Sequence, residues 1–75
     1  MNDTSKTYTV AVAGLGKRGT HHAAAIAANP RFRLVGLADI DRSRVDAACA
    51  RFGVAHGDTD TARLLQTTRP DVFVF

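Results

Sequence analysis

Three glycines near the start of the chain carry the clearest chemical pattern in the sequence. Residues 14–19 read Gly-Leu-Gly-Lys-Arg-Gly and have the spacing GxGxxG; we call them the glycine loop. In this pattern Gly14 permits a tight bend, Gly16 lets the backbone approach a pyrophosphate with no Cβ in the way, and Gly19 allows a helix to pack close to a sheet. Backbone N–H groups at the start of that helix would face the phosphate oxygens. The spacing predicts a dinucleotide site, provided that a strand precedes the loop and a helix follows it.

An acidic residue at the expected distance supports this interpretation. Asp39 stands about twenty residues after Gly19 and follows the apolar run that ends at Ala38. A carboxylate in this place would accept hydrogen bonds from the adenosine ribose hydroxyls. The alternative is that the glycines serve only a tight turn and that Asp39 caps a surface loop. The spacing and the surrounding elements favour the nucleotide site.

The choice between NAD and NADP depends on charged residues with opposite effects on a 2′-phosphate. Asp39 would repel a 2′-phosphate and favours NAD, whereas Arg42 and Lys17 would neutralise one and favour NADP. Lys17 and Arg18 fit a solvated first helical turn equally well, and Arg42 fits the flank of a capped turn. We favour NAD slightly, because the acidic residue is the feature most directly tied to the ribose. The predicted cofactor-binding residues are Gly14, Leu15, Gly16, Lys17, Arg18, Gly19, Asp39 and Arg42.

The elements around the glycine loop predict a βαβ unit. Residues 8–13 read YTVAVA, a nearly continuous apolar run typical of a strand that is covered on both faces. The alanine-rich stretch after the loop predicts a helix over 17–28, which ends before Pro30. A second apolar run predicts a strand over 34–38. Because the connection is too long for a hairpin, the two strands should be parallel, with a right-handed crossover.

A second helix is indicated by its two ends and by its spacing. Asp41 is a good N-cap, and Gly53 supplies a left-handed stop. Cys49 lies on the predicted apolar face, so we interpret it as a small buried hydrophobe and not as a reactive thiol. The residues of that face, spaced i, i+3, i+4, i+7, are Val45, Ala48, Cys49 and Phe52.

The remaining signals are weaker. A very short strand is predicted over 54–57, and a helix over 60–67 with Asp60 at its start and with Ala62 and Leu65 facing inward. The last residues, 71–75, read DVFVF and have the β-branched and aromatic content of a buried strand.

The order of these elements predicts an α/β fold, a Rossmann-type doubly wound parallel sheet of which part is present, with strand order 3-2-1-4. We expect residues 1–6 to form a flexible tail. Residues 7–75 should be the N-terminal part of a dinucleotide-binding domain that is incomplete at its C-terminus, because a natural domain seldom ends on an apolar strand.

Composition argues against several other classes. The 75 residues contain one cysteine, so no internal disulfide is expected, and no apolar run is long enough for a membrane span or a signal peptide. We therefore expect a cytoplasmic protein with no membrane partner. The net charge of +3 comes from basic residues dispersed among acidic ones, which argues against nucleic-acid binding.

The adjacent His21 and His22 point in different directions on a helix, and no metal-ligand or catalytic set can be assembled.

With these motifs in place, the chain resembles the start of the glucose-fructose oxidoreductase and inositol dehydrogenase family, Gfo/Idh/MocA. The resemblance is carried by AVAGLGKRGTHHAAAI, LVGLADIDRSR and PDVFVF, and it covers essentially everything after Lys6. His22 matches a histidine that the family places in the scaffold near the nucleotide. Asp39 matches the acidic residue that holds the ribose.

The resemblance implies that the parent protein is an NAD(P)-dependent oxidoreductase, a homo-oligomer that acts on a sugar, cyclitol or related polyol. Hydride would pass between the nicotinamide and a carbon bearing a hydroxyl, with a lysine and a histidine of the family assisting. Both of those residues would lie beyond Phe75, together with the substrate domain. We therefore expect this chain to bind cofactor, NAD or NADP, and to contain no catalytic residues.

Two alternatives from other classes remain open. The same fold could serve as a non-catalytic module that senses dinucleotide and reports to a partner, or as a coenzyme A binding domain. Downstream sequence would separate the sensor from the enzyme. Asp39 argues against coenzyme A, because a ribose with a 3′-phosphate disfavours an adjacent carboxylate.

Overall fold

Within residues 6–75, which are the part that the computed structural model describes, four strands form one parallel sheet and three helices connect them. Residues 1–5, which make up most of the predicted flexible tail, lie outside the described residues. The strand order is β3-β2-β1-β4, which confirms the predicted order and the Rossmann-type fold. The elements are β1 (Tyr8–Ala13), α1 (Lys17–Ala27), β2 (Phe32–Ala38), α2 (Arg42–Phe52), β3 (His56–Asp58), α3 (Thr61–Thr68) and β4 (Val72–Val74).

Helices cover both faces of the sheet. Successive side chains of a strand point to opposite faces, and β1 follows this rule with apolar residues on both. Val10 and Val12 belong to a core cluster that includes Ala23 of α1 and Val45 of α2. Ala11, which lies between them in sequence, packs instead in a cluster with Leu64 of α3. The continuous apolar run in β1 is therefore explained by a doubly covered strand.

The predicted ends of α2 are confirmed. The Asp41 side chain accepts a hydrogen bond from the Ser43 N–H at 2.9 Å, as an N-cap does. Gly53 ends the helix in the left-handed conformation, with φ of 65°. The predicted apolar face is confirmed as well: Val45 and Ala48 are buried, and Cys49 and Phe52 pack against the core.

The third strand is displaced from its predicted position of 54–57. It runs from His56 to Asp58 and pairs with the end of β2, while Val54 lies before it and packs into the core with 8% exposure. Gly57 occupies the point where α2 crosses this strand, because a Cβ there would lie 2.6 Å from the Val45 Cγ1 and Cys49 Sγ atoms. Three residues with no apolar alternation give little signal for a strand, which is why the boundary was wrong.

The inward face of α3 also differs from the prediction. Asp60 caps the helix by accepting from the Arg63 N–H at 3.1 Å, as expected. However, Ala62 is exposed, and Leu64 is the buried residue at 2% exposure, with Leu65 partly buried beside it. The reason lies in β2, where Gly36 has no Cβ and leaves room for the Leu64 side chain.

The amino ends of β1 and β4 are joined by side-chain hydrogen bonds. Asp71 accepts from the Thr9 N–H at 2.9 Å, and its own N–H donates to the Thr9 hydroxyl at 3.0 Å. These contacts lie at the edge of the sheet opposite to the glycine loop.

No helix within residues 6–75 is long and apolar enough to cross a membrane.

Candidate functional site

The glycine loop leaves the end of β1 in a bend that only glycine adopts readily. Gly14 has φ of 86°, in the left-handed region, and no atom of the part of the chain that the structure describes lies within 4 Å of the place that a Cβ would take. The requirement for glycine here is therefore conformational. The Gly14 N–H donates to the Ala38 carbonyl at 2.8 Å, so the end of the neighbouring strand fixes the bend.

Gly19 is required for a different reason. A Cβ on this residue would overlap the carbonyl oxygen of Gly14, which is a backbone atom and cannot swing aside. The first turn of α1 thus packs directly against the start of the loop. This close approach is what the third glycine of the pattern was predicted to allow.

Gly16 differs from the other two glycines because the folded chain does not need it. Its φ of −69° and ψ of −169° are open to any residue, and a Cβ would meet only the Arg44 Nη1 atom at 3.7 Å, an ordinary contact. The absence of a side chain at Gly16 leaves the backbone open to approach from outside. This openness is what a pyrophosphate binding to the loop requires.

The amino end of α1 presents free backbone donors. Gly16 is the N-cap and provides no side-chain hydrogen bond, and the first turn contains no acidic residue. The first helical bond runs from the Thr20 N–H to the Gly16 carbonyl at 2.9 Å. The N–H groups before Thr20 therefore have no intrahelical acceptor, and the helix dipole adds partial positive charge at the same place.

These donors face a crevice of about 410 Å³ between the ends of β1 and β4. The sheet order reverses between these strands, and ligands of open parallel sheets bind at such a switch point. His22 lines the crevice, whereas His21 lines a separate concavity with Lys17 and Arg18. The crevice is lined by Val12, Ala13, Gly14, Gly16, Lys17, Arg18, Gly19, His22, Val74 and Phe75.

Asp39 is joined to the glycine loop by a hydrogen bond. One carboxylate oxygen accepts from the Leu15 N–H at 2.6 Å, and the other accepts from the Asp41 N–H at 2.8 Å. The Asp41 and Leu15 N–H groups hold the pKa of Asp39 below its ordinary value of 3.8, so the side chain is ionised at neutral pH. Each oxygen keeps a second lone pair that can accept from a ribose hydroxyl.

Two arginines in the first turn of α2 have different surroundings. Arg42, which the sequence singled out, pairs with Asp46 along the helix at 3.2 Å. Arg44, which the sequence did not single out, has its Nη1 atom 3.7 Å from the place that a Cβ of Gly16 would take. The structure thus brings the glycine loop and Asp39 together and adds Arg44 to them. One signal in the sequence could have suggested Arg44: it stands three residues after the N-cap Asp41, and residues three apart lie on the same face of a helix.

Comparison with known proteins agrees with this geometry. A sequence model of the Gfo/Idh/MocA oxidoreductase family, described by its NAD-binding Rossmann fold, matches residues 8–74. Since the match covers nearly all of the chain, the chain belongs to this family. The comparison with curated proteins gives no match.

Solved structures of dehydrogenases share the fold. Apo scyllo-inositol dehydrogenase from Lactobacillus casei is 28% identical, with a TM-score of 0.84 over 96% of this chain and 22% of its own. The same enzyme with bound NAD(H) and scyllo-inositol has a TM-score of 0.83 at 28% identity, over 92% of this chain and 21% of its own. The WlbA dehydrogenase from Chromobacterium violaceum, in complex with NADH and UDP-GlcNAcA, is 26% identical, with a TM-score of 0.83 over 95% of this chain and 21% of its own. The chain spans about a fifth of the length of these proteins.

Proposed function

We propose that this chain holds the diphosphate and adenosine ribose of a nicotinamide dinucleotide, as the cofactor-binding part of an oxidoreductase. The observation that carries the proposal is the open backbone at Gly16, directly before the uncapped end of α1. Nothing in the packing of residues 6–75 requires a glycine at this position, whereas the approach of a diphosphate does.

Each predicted residue has a role that its surroundings allow. The free N–H groups of the first turn of α1 would donate to the diphosphate oxygens, with charge from the exposed side chains of Lys17 and Arg18 nearby. The Asp39 carboxylate, already ionised and already fixed against Leu15, would accept from the ribose hydroxyls. Gly14 and Gly19 act on the loop and not on the ligand, because they set its bend and its packing.

NAD is the proposed cofactor. An ionised carboxylate at the ribose disfavours a 2′-phosphate on electrostatic grounds. The Lactobacillus casei and Chromobacterium violaceum structures contain NAD(H) and NADH, respectively. When bound, the nicotinamide ring supplies a carbon that accepts or gives a hydride.

The proposed reaction of the whole protein is hydride transfer to or from a hydroxyl-bearing carbon of a sugar, cyclitol or related polyol. The similar structures contain scyllo-inositol in one case and UDP-GlcNAcA in another, which supports this substrate class. We propose that the residues that move a proton at the substrate belong to other parts of the whole protein.

Isothermal titration calorimetry with NAD tests the binding role. Gly16→Ala should weaken NAD binding by about tenfold or more, because its methyl group would lie between the loop and the diphosphate. Its effect on folding should be small, about 1 kcal/mol at most, from the lower N-cap preference of alanine.

Asp71→Ala is the matched control. It removes hydrogen bonds at the opposite edge of the sheet, so it should lower stability while leaving NAD affinity unchanged. If the unsubstituted protein fails to bind NAD, or if Gly16→Ala binds it as tightly, the proposed function is wrong.

A further inference from the structure

Thr20, near the start of α1, holds the two carbonyl groups that precede the helix. Its hydroxyl donates to the Leu15 carbonyl at 3.0 Å, and its N–H donates to the Gly16 carbonyl at 2.9 Å. The second contact is the ordinary first bond of a helix, which any residue except proline could provide at this position. The first contact depends on the threonine side chain. One residue of α1 therefore orients the backbone on both sides of Gly16.

The peptide group that joins Leu15 to Gly16 is bound at its carbonyl end alone. The Thr20 hydroxyl binds that carbonyl, whereas the Gly16 N–H donates to no acceptor within residues 6–75. The N–H and C=O of a trans peptide point in opposite directions. The Gly16 N–H therefore points away from Thr20, and Gly16 itself lines the crevice.

This peptide group could turn over without moving the rest of the loop. Such a rotation changes ψ of Leu15 and φ of Gly16, while both Cα atoms stay in place. Leu15 itself is fixed, because its side chain is buried in the core and its N–H donates to Asp39 at 2.6 Å. The φ of Gly16 would move from −69° to a positive value, which glycine adopts at no steric cost. The open glycine that a diphosphate needs thus also lets the preceding peptide turn over.

Building on the proposed function, we propose that Thr20 is a positioning residue for the diphosphate. Its hydroxyl keeps the Leu15 carbonyl turned towards α1, so that the Gly16 N–H is available to the ligand before the ligand arrives. In the reversed orientation a carbonyl oxygen would face the diphosphate and repel it. Asp39 fixes the peptide group before Leu15, and Thr20 fixes the one after it.

Isothermal titration calorimetry of Thr20→Val with NAD tests this proposal. Valine keeps the shape of threonine and removes the hydroxyl. The peptide group would then be reversed for part of the time, and the apparent affinity falls with the fraction of protein in the binding orientation. From the usual net contribution of one hydrogen bond, NAD should bind about three- to tenfold more weakly. Thr20→Ser retains the hydroxyl and should bind NAD nearly as tightly as the native protein.

Thr68→Val is the matched control. The Thr68 hydroxyl donates to the Leu64 carbonyl at 2.8 Å within α3, and this hydrogen bond is partly buried, like that of Thr20. The buried side chain of Leu64 packs in the core cluster on the other face of the sheet from α1. Thr68→Val therefore makes the same chemical change away from the glycine loop, and NAD affinity should stay unchanged.

The orientation of the peptide group also has a spectroscopic readout that a loss of stability alone would not move. In protein labelled with ¹⁵N-glycine, the amide signal of Gly16 is identified by its disappearance in Gly16→Ala. In ligand-free Thr20→Val this signal should shift or split, because the Gly16 N–H samples two surroundings. The signal of Gly53, at the end of α2, should stay in place. Saturation with NAD should return the Gly16 signal to its position in the native complex.

The proposal is overturned if Thr20→Val binds NAD as tightly as the native protein does, or if Thr20→Ser or Thr68→Val loses as much affinity as Thr20→Val. It is also overturned if the Gly16 signal is the same in Thr20→Val and in the native protein. None of these results affects the proposed function, as long as the native protein binds NAD and Gly16→Ala weakens that binding. Failure of the native protein to bind NAD would instead defeat the proposed function itself.

Discussion

Gly19→Ala is the substitution that the glycine loop should tolerate least. The new Cβ would overlap the Gly14 carbonyl oxygen, and neither backbone can yield easily. Gly14 is fixed by its N–H bond to Ala38 and by its left-handed conformation. Overpacking of this kind costs about 1–3 kcal/mol and occasionally more, and overlap between two backbones places this case at the upper end, about 3 kcal/mol. That is a large fraction of the roughly 4 to 11 kcal/mol that 75 residues of a folded protein contribute on average.

Thermal unfolding followed by circular dichroism measures the loss. Where about 60–100 residues unfold together, 1 kcal/mol corresponds to about 4–8 °C in Tm, so Gly19→Ala should lower the Tm of this chain by about 12 °C or more. Gly16→Ala is the control, because it adds the same methyl group three residues earlier where the structure has room. Its Tm should fall by no more than about 8 °C, since the loss is at most about 1 kcal/mol. Equal Tm values for the two variants would refute the distinction between a glycine required by the fold and one required by the ligand.

Three further predictions concern parts of the chain outside the loop. Gly57→Ala should lower the free energy of unfolding by about 1–3 kcal/mol, because its Cβ would crowd Val45 and Cys49. Urea denaturation measures the change, and an unchanged midpoint of the unfolding curve would contradict the close crossing of α2 over β3. Burial raises the pKa of the Cys49 thiol above its ordinary value of 9.0. At pH 8 a thiol reagent should therefore react with Cys49 more slowly than it reacts with free glutathione, and equal rates would show that the thiol is not shielded. Arg63 donates to both carboxylate oxygens of Asp58, at 2.7 and 2.8 Å, and holds the pKa of that carboxyl well below 3.8. Because the pKa of Asp58 is lower in the folded state than in the unfolded state, its ion pair stabilises the fold above the unfolded-state pKa, and this stabilisation is lost as the pH falls through the folded-state pKa. The Tm difference between the native protein and Arg63→Gln should therefore be full above about pH 4 and should decrease below it. A Tm difference that is constant with pH would exclude this linkage.

The features that the sequence predicted correctly are those with local causes. The N-caps Asp41 and Asp60 and the left-handed stop at Gly53 act within a few residues, so their residue types alone locate the helix ends. The glycine loop was recognisable because its spacing, the strand before it and the helix after it all lie within one segment. The strand order followed from the βαβ connections, which leave few topologies for a chain of this length.

The features that the sequence did not predict depend on contacts between distant segments. Leu64 is buried because Gly36, far away in sequence, leaves space for it, and no periodicity within α3 reports that space. The position of Arg44 beside Gly16 was not predicted, because spacing does not tell which neighbour the guanidinium of Arg42 or of Arg44 contacts. Tertiary packing decides these side-chain contacts, and composition and spacing alone do not predict them.

The geometry of the glycine loop is a property of the sheet and not of the loop alone. Ala13 pairs with Ala38, and this register brings the following residue, Asp39, to the Leu15 N–H at 2.6 Å. A slip of one residue would move Asp39 by about 3.3 Å along the strand and turn it to the other face, which would break that hydrogen bond. The loop is therefore held in its bend before any ligand arrives, and the ordering cost of binding falls accordingly. Because Gly36 lets α3 pack closely on β2, a helix on the opposite face from α1 also helps to fix the register. It follows that a peptide containing only β1, the loop and α1 would keep the glycine spacing but lack the neighbouring strand that shapes the site.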